Sequence, residues 1–348
     1  MTVPLLLTFA HLAVQQPSLR GTVVSAETGD PLGYSIVTLQ PSGGKQFTDA
    51  SGVFVFEGIT VGMHILSVRQ IAYAPLDTQL VIGEGETIVQ VSLRRLAIEL
   101  PPVTVSATLC TNPGPPDSSN AALLAVFDQL QENARRYALL ADSYPFRYVL
   151  EISDRYLYQR GDTGRPTTRR LHFSSRDDHA YEVGRVVEPA WGPWGTPENT
   201  MVIHSADLQD LGNERFIKNH CFRLAGLDTL NGDSLVRIDF EPATRLSSAD
   251  IAGSAYLDPI TYQLRYTATS LTRPERSELT EVRSMIFLTR FHNIAPGVPL
   301  QDSLTVVTTY RQGPRAKITT QRTRDVRFKR QPPQPPQPPP ASASPPSP

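Results

Sequence analysis

The chain has 348 residues, a length typical of about two domains. Its 33 Lys and Arg residues are balanced by 34 Asp and Glu residues, so no excess positive charge favours binding to nucleic acid or to an acidic membrane surface. Two cysteines are too few for a disulfide-rich scaffold or a structural zinc cluster.

The N-terminus carries an apolar run from Val3 to Val14. Its length fits the core of a secretory signal peptide and is too short for a transmembrane helix. We therefore predict a signal peptide at residues 1–16 and export of the protein; the alternative is an apolar first strand. No later segment reaches the roughly 18 apolar residues of a transmembrane helix, so we predict none.

Residues 19–97 alternate short β-patterned runs with turn residues. "YSIVTLQ" ends at "PSGG", and "VFVFE" alternates two Phe with two Val between Gly-containing turns. About seven strands with turns at this spacing predict a small antiparallel β-sandwich of transthyretin or immunoglobulin type.

The same segment resembles the carboxypeptidase regulatory-like domain, a transthyretin-like sandwich of bacterial envelope proteins. The positions that match the family pattern are Gly21, Val23, Thr28, Gly29, Pro31, Leu32, Thr48, Asp49, Gly52, Phe54, Gly62 and Leu66. His64 stands where the family usually has Tyr, and Ala72 stands where it usually has Gly. The resemblance implies a rigid spacer, folding aid or binding module, with no catalytic residue and no cofactor.

Residues 98–119 read as a linker. Its "LPPVTVSA" stretch resembles the segment that follows this domain in TonB-dependent receptors, but the remaining chain is too short for a plug and a barrel. An edge strand leading into the linker is the simpler interpretation. In an exported protein, Cys110 could pair with Cys221 or both could remain thiols.

Residues 120–330 combine one long helix with many β-patterned runs. The helix is capped by Ser119 or Asn120 and repeats apolar residues at helical spacing in "AALLAVFDQLQENARRY". The runs that follow predict a long, curved antiparallel sheet, and hence an α+β domain with one main helix. The whole chain is therefore predicted to be mainly β.

The second domain resembles a family of exported bacterial proteins of unknown function. Its "GSAYLDPIT" strand and turn, from Gly253 to Thr261, resembles elements of open half-barrels related to lipoprotein carriers. In those folds a curved sheet can shelter an acyl chain, although a shared fold does not by itself imply a shared ligand.

A weak zinc-peptidase pattern is present. His179 and Glu182 form His-x-x-Glu, and His292 could supply a third ligand, as in zinc carboxypeptidases. The spacing is common by chance and lies in strand-like sequence without βαβ repeats. We therefore predict no catalytic residues, no metal and no enzymatic activity.

The segment "EPAWGPWGTPEN" carries both tryptophans, Trp191 and Trp194. Exposed Trp side chains on a rigid loop can stack on sugars or hold a partner. The alternative is a loop that plugs the open end of the sheet.

Residues 331–348 form a Pro-rich tail that we predict to be disordered. Together these features predict a non-enzymatic, exported cell-envelope protein of the periplasm or outer membrane, with a binding or scaffold role. Its partner would be an unidentified envelope protein, a glycan or a lipid. The alternatives are a lipid or lipoprotein carrier and, more remotely, a zinc carboxypeptidase or a component associated with TonB-dependent receptors.

Overall fold

A computed structural model of the chain describes residues 16–100, 109–158, 161–177, 181–191 and 197–333. The predicted signal peptide, the "PPVTVSA" stretch, His179, Trp194 and most of the predicted tail lie outside these residues. Within them the chain forms two compact units. One holds residues 16–69 and Pro75–Arg94, and the other holds Gln70–Ala74 and the chain from Arg95 onward.

The first unit has the seven predicted strands in two sheets, but it is not wholly antiparallel as predicted. Its sheets have the strand orders β4-β1-β7, in which β1 and β7 run parallel, and β3-β2-β5-β6. The strands are β1 (Ser18–Ser25), β2 (Ile36–Gln40), β3 (Gly44–Phe47), β4 (Val53–Glu57), β5 (Gly62–Arg69), β6 (Leu76–Ile82) and β7 (Glu86–Leu93). Alternate residues of β1 and β4 are buried, as expected for strands with one face on a core.

The Thr-Asp-x-x-Gly pattern of this unit forms the turn before β4. Asp49 Oδ1 accepts hydrogen bonds from the backbone N–H groups of Ser51 and Val53, both at 2.8 Å. Gly52 adopts a φ of +73°, and a Cβ there would lie 2.5 Å from the carbonyl oxygen of Val23. Thr48 is buried and donates to the carbonyl oxygen of Leu32. The residue types of this turn are thus explained by its backbone geometry.

The second unit is built on one nine-stranded antiparallel sheet with the strand order β12-β13-β14-β15-β16-β17-β18-β8-β9. Its strands are β8 (Phe146–Leu157), β9 (Thr167–Ser174), β12 (His220–Leu230), β13 (Asp233–Pro242), β14 (Asp250–Leu257), β15 (Leu264–Thr272), β16 (Val282–Ala295), β17 (Val298–Tyr310) and β18 (Ala316–Phe328). A separate hairpin pairs β10 (Val187–Trp191) with β11 (Pro197–Ile203). These sheets confirm the mainly β prediction.

The long helix α1 (Ala121–Ser143) packs its apolar face on the sheet. Asn120 is its N-cap, and its side chain accepts a hydrogen bond from Leu123 N at 3.0 Å. Phe127 meets Phe222 of β12 edge to face, with ring centroids 4.7 Å apart. Among the described residues, no helix combines the length and apolar character needed to cross a bilayer.

Two polar residues of α1 hold the turns of the sheet. Asn133 donates to the carbonyl oxygen of Tyr262 and accepts from Leu264 N, both at 2.9 Å, so it occupies the turn before β15. Arg136 is buried and donates to the carbonyl oxygens of Gly297 and Pro296, in the turn between β16 and β17. Helix α1 is thus fixed to the sheet by hydrogen bonds as well as by apolar packing.

The structure differs from the sequence prediction between residues 181 and 219. The sequence around Glu182 was predicted to be strand-like, but β10 begins only at Val187 because Gly184, with φ of +80°, makes a turn. Two short helices, α2 (Leu208–Gly212) and α3 (Glu214–Asn219), follow β11. They were not predicted, because their lengths give no helical periodicity; Asp207 and Asn213 are their N-caps.

Cys110 and Cys221 form a disulfide that joins the chain before α1 to strand β12. The backbone carbonyl of Cys110 accepts hydrogen bonds from Thr244 N at 2.9 Å and Thr244 Oγ1 at 3.1 Å. Gly114 N also donates to the carbonyl oxygen of His220. This part of the predicted linker is therefore attached to the sheet of the second unit.

Candidate functional site

A cavity of about 260 Å³ lies between the helices and one face of the nine-stranded sheet. Its walls come from α1, α2 and the segment before α2, and its floor comes from β8, β9, β16, β17 and β18. The lining residues include Tyr137, Tyr148, Leu150, Phe173, Ile203, His204, Asp207, Leu208, Asp210, Phe291, Leu300, Leu304, Gln321 and Thr323. Ligand pockets of proteins are commonly about 300–1,000 Å³, so this cavity suits a small or slender apolar group.

Strand register places the apolar floor on one face. Leu304 of β17 lies opposite Gln321 of β18, and Leu150 of β8 lies opposite Thr323. Alternate residues along each strand point to the same face, so these four side chains are on the cavity side. Tyr148 stacks on Phe173 of β9, with ring centroids 5.7 Å apart and planes 19° apart. The floor therefore combines aromatic and aliphatic side chains with the polar side chains of Gln321 and Thr323.

One polar atom on this floor lacks a partner. The hydroxyl oxygen of Thr323 is buried and makes no hydrogen bond within the described part of the chain. A buried hydroxyl without a partner costs about 1–3 kcal/mol, which a water or a polar ligand atom in the cavity would recover.

The wall opposite the floor is polar and is organised by α2. Asp207 and Asp210 form a reciprocal capping box, in which each side chain accepts from the backbone N–H of the other residue. Asp210 also accepts from Tyr181 N at 3.2 Å. Burial and the nearby Asp207 carboxylate raise the pKa of Asp210 well above its ordinary value.

His204 contributes a second ionisable group to this wall. Its Nε2 lies 2.9 Å from Glu188 Oε1 on β10, and Arg185 donates to the other oxygen of the same carboxylate. Burial lowers the pKa of His204 despite the Glu188 carboxylate, so the imidazole is neutral at pH 7. The pair therefore anchors the wall of the cavity to the β10–β11 hairpin.

The structure gives Glu182 and His292, two of the three candidate zinc ligands, different polar partners. Glu182 pairs with Arg185 at 2.8 Å and with Arg215 at 3.0 Å. The exposed His292 of β16 has its Nδ1 3.7 Å from Asp302 Oδ1. Of the residues that the structure describes, no three His, Cys, Asp or Glu side chains are grouped to hold a metal ion. His179 lies outside the described residues.

The two tryptophans are only partly placed. The backbone of Trp191 ends β10 and pairs with Pro197 of β11, while its side chain and the whole of Trp194 lie outside the described residues. Their predicted ligand-binding role remains a prediction.

Sequence reasoning did not identify the cavity residues. Tyr148, Phe173 and Leu304 sit in alternating runs that look like ordinary sheet core. Tyr148 meets Phe173 through the β8–β9 pairing, and Leu304 joins them only because β18 pairs with both β17 and β8. One local pattern could have pointed to this region: the Asp207-x-x-Asp210 spacing indicates the start of a helix, and the structure places that helix, α2, in the wall of the cavity.

Comparison with known proteins gives fold-level likeness only. No protein-family model matches the chain, and no curated protein matches it. A putative outer membrane lipoprotein-sorting protein domain from Vibrio parahaemolyticus aligns with 12% identity and a TM-score of 0.33, over 58% of this chain and 93% of that one. A DUF1329 family protein from Desulfovibrio piger aligns with 10% identity and a TM-score of 0.34, over 60% and 93%. A LolA superfamily protein from Nitrosomonas europaea aligns with 7% identity and a TM-score of 0.30, over 59% and 94%. At these identities and TM-scores, the likeness assigns neither a ligand nor a partner to this chain.

Proposed function

We propose that this is a non-enzymatic, exported cell-envelope protein whose second unit binds the apolar part of an amphiphilic molecule. This corresponds to the lipid-carrier alternative of the sequence analysis, with a lipid as the partner. The observation that carries the proposal is the cavity of about 260 Å³ between α1, α2 and the sheet, floored by Tyr148, Leu150, Phe173 and Leu304.

The lining residues suit the binding of an apolar group better than a reaction in a water-filled active site. Burying an acyl chain against this floor would contribute about 0.8 kcal/mol per methylene. The unpartnered Thr323 hydroxyl and the neighbouring Gln321 offer polar contacts beside the apolar side chains of the floor, a combination typical of pockets that orient a largely apolar ligand.

The ionisable groups of the cavity already serve structural roles, which supports a non-enzymatic function. Asp210 caps α2 and holds Tyr181, and the His204 imidazole contacts Glu188. A general base must instead have its proton-accepting atom within reach of the substrate.

For the first unit we propose membership of the carboxypeptidase regulatory-like domains, acting as a rigid module of a periplasmic or outer-membrane-associated protein. Support comes from Thr48, Asp49 and Gly52, which build the turn that the family pattern describes. Each of these three residue types meets a structural requirement of the turn.

The binding proposal is tested with a fluorescent fatty-acid probe titrated into the full chain. Leu150→Trp should fill the cavity; excluding two methylenes of the probe would weaken binding by about tenfold. Ile286→Trp is the matched control, because Ile286 is 52% exposed on the same sheet and does not line the cavity. Absence of probe binding to the unmodified protein, or equal weakening by both substitutions, would refute the proposal.

A further inference from the structure

The outer face of the nine-stranded sheet, which is turned away from the cavity, carries a cluster of arginines near its β9 edge. Leu150 of β8 and Thr323 of β18 line the cavity, so their chain neighbours Val149 and Arg324 point to the outer face. The same alternation forms rows of outward side chains across β9, β8 and β18. These rows are Arg170, Glu151 and Arg322; His172, Val149 and Arg324; and, on β8 and β18, Arg147 and Arg327. We call the five arginines of these rows the arginine face.

All five side chains of the arginine face are exposed to solvent. Arg170 pairs with Glu151 at 2.9 Å, and Glu151 is the one carboxylate in these rows. Within the ranges that the structure describes, the other four arginines take part in no ion pair. Arg147 lies directly opposite Arg327, and like charges in that position destabilise a strand pair. The stability of the sheet therefore does not account for the cluster.

The two sides of this part of the sheet differ in charge. The described lining of the cavity contains the carboxylates of Asp177, Asp207 and Asp210 and no Lys or Arg side chain. On the outer face the five arginines outnumber Glu151 and the nearby Asp325. Neighbouring charges on adjacent strands, or two residues apart on one strand, are separated by about 5–7 Å, less than the Debye length of about 8 Å, so their potentials add. The whole-chain balance of 33 cationic and 34 acidic residues, from which we expected no preference for an acidic membrane, hides this local excess.

The side chains of these rows fit some anionic partners better than others. Surfaces that bind single-stranded nucleic acid combine cations with aromatic side chains on which bases stack, and none of the side chains in these rows is aromatic. Each guanidinium can donate two parallel hydrogen bonds to one phosphate. An open sheet face can meet many lipid phosphates at once, because a membrane surface is itself an extended layer of headgroups.

From this arrangement we infer that the arginine face docks the second unit on a membrane surface rich in anionic phospholipid. Docking extends the proposed function, since a carrier of amphiphiles exchanges them with a membrane, but it does not require the cavity. The attraction is electrostatic and comes from side chains on the opposite side of the sheet from Leu150 and Thr323.

The test is flotation of the full chain with vesicles of phosphatidylcholine alone or with about 30% phosphatidylglycerol added. We expect binding to the anionic vesicles only, and its loss in about 0.5 M salt, where the charges are screened. The triple substitution Arg322→Gln, Arg324→Gln and Arg327→Gln should weaken binding by about a hundredfold, since each cationic residue near an acidic membrane strengthens binding by about fivefold.

The matched control is the triple substitution Arg165→Gln, Arg283→Gln and Arg315→Gln. It removes the same charge from exposed arginines near the other end of the sheet, where Leu157 pairs with Ala316 and β16 begins. This variant should bind the anionic vesicles as the unmodified protein does. Lysine in place of Arg322, Arg324 and Arg327 keeps the charge and should also preserve binding; loss of binding in the lysine variant would contradict an electrostatic attraction.

The outcomes separate docking from binding in the cavity. Equal binding to both kinds of vesicle, or equal weakening by the two glutamine variants, overturns the docking inference and leaves the cavity proposal standing. Leu150→Trp should leave docking unchanged; if it abolishes vesicle binding, attachment runs through the cavity and the inference is wrong. Binding of a labelled polyglutamate peptide in place of the anionic vesicles would assign the arginine face to an acidic protein and overturn the inference. Failure of the fatty-acid probe to bind, with docking intact, refutes the proposed function alone.

Discussion

The guanidinium of Arg136 in α1 donates from Nε to the carbonyl oxygen of Gly297 at 2.8 Å, and from Nη2 to Pro296 at 3.1 Å. Gly297 has a φ of +65°, and a Cβ there would lie 2.9 Å from Arg136 Nη2. The helix and the β16–β17 turn are therefore fitted to each other. The cavity depends on this fit, because α1 forms one wall and β16 and β17 form part of the floor.

Replacement of Arg136 should destabilise the second unit. Arg136→Met removes the side-chain donors to the carbonyl oxygens of Gly297 and Pro296 and to Oε1 of Gln70, at a cost of about 3 kcal/mol in the free energy of unfolding. The measurement is urea unfolding followed by tryptophan fluorescence, since Trp191 and Trp194 both belong to the second unit. Arg283→Met, at an exposed position of β16, should change stability by no more than about 0.5 kcal/mol. Equal losses for both variants would contradict this role of Arg136.

A buried hydrogen bond from Tyr181 to Asp250 gives a second prediction. The Tyr181 hydroxyl donates to Asp250 Oδ2 at 2.7 Å, and both side chains are buried. Burial and the Asp250 carboxylate raise the pKa of Tyr181. The Tyr181 hydroxyl therefore stays protonated, and donates this hydrogen bond, throughout the pH range in which the protein is folded. Tyr181→Phe should lower the free energy of unfolding by about 1–3 kcal/mol. Tyr158→Phe, at an exposed position, serves as the control, and a neutral Tyr181→Phe variant would disprove the assignment.

Asp210 should make stability dependent on pH. Because its pKa is raised in the folded state, the folded protein holds this proton more tightly than the unfolded chain. Its contribution to stability is therefore full below the ordinary value of 3.8 and is lost as pH rises toward the raised folded value. Asp210→Asn removes this titration and also alters hydrogen bonds at every pH. The unfolding free energy of the unmodified protein, minus that of Asp210→Asn, should fall as pH increases from about 4. Parallel profiles in urea unfolding would contradict the raised pKa.

The disulfide should stabilise the second unit. It joins cysteines 111 positions apart. A crosslink over that distance stabilises by about 4–5 kcal/mol in the chain-entropy description. The double substitution Cys110→Ser with Cys221→Ser should lose that amount, and adding a reductant should destabilise the unmodified protein but not the double variant. Equal sensitivity of the two proteins to reductant would show that the crosslink is not responsible.

Local features of the fold were accessible from the sequence. The α1 periodicity, the "NGD" turn between β12 and β13, and the seven strands of the sandwich all follow from short-range rules. Gly253, which the sequence analysis noted in "GSAYLDPIT", is explained by the structure: a Cβ there would lie 2.3 Å from the carbonyl oxygen of Ala268 on the neighbouring strand β15.

The cavity was not accessible in this way, because its parts are distant in the chain. Leu150 and Thr323 become neighbours only through the β8–β18 register, which no local pattern encodes. Buried polar residues such as Asn133 and Arg136 were also missed, since on a helical wheel they look like ordinary solvent-facing positions. Their partners are turn carbonyl and N–H groups that only the tertiary structure supplies.

The pairing of Phe146 with Phe328 has a consequence for biogenesis. Strand β8 is synthesised early and its sheet neighbour β18 much later, so the β8–β9 hairpin lacks this sheet partner until nearly the whole chain is available. Such non-local closure slows folding. A chain stopped before Ala316 would lack the strand that joins the two halves of the sheet, and the cavity beneath α1 would not form.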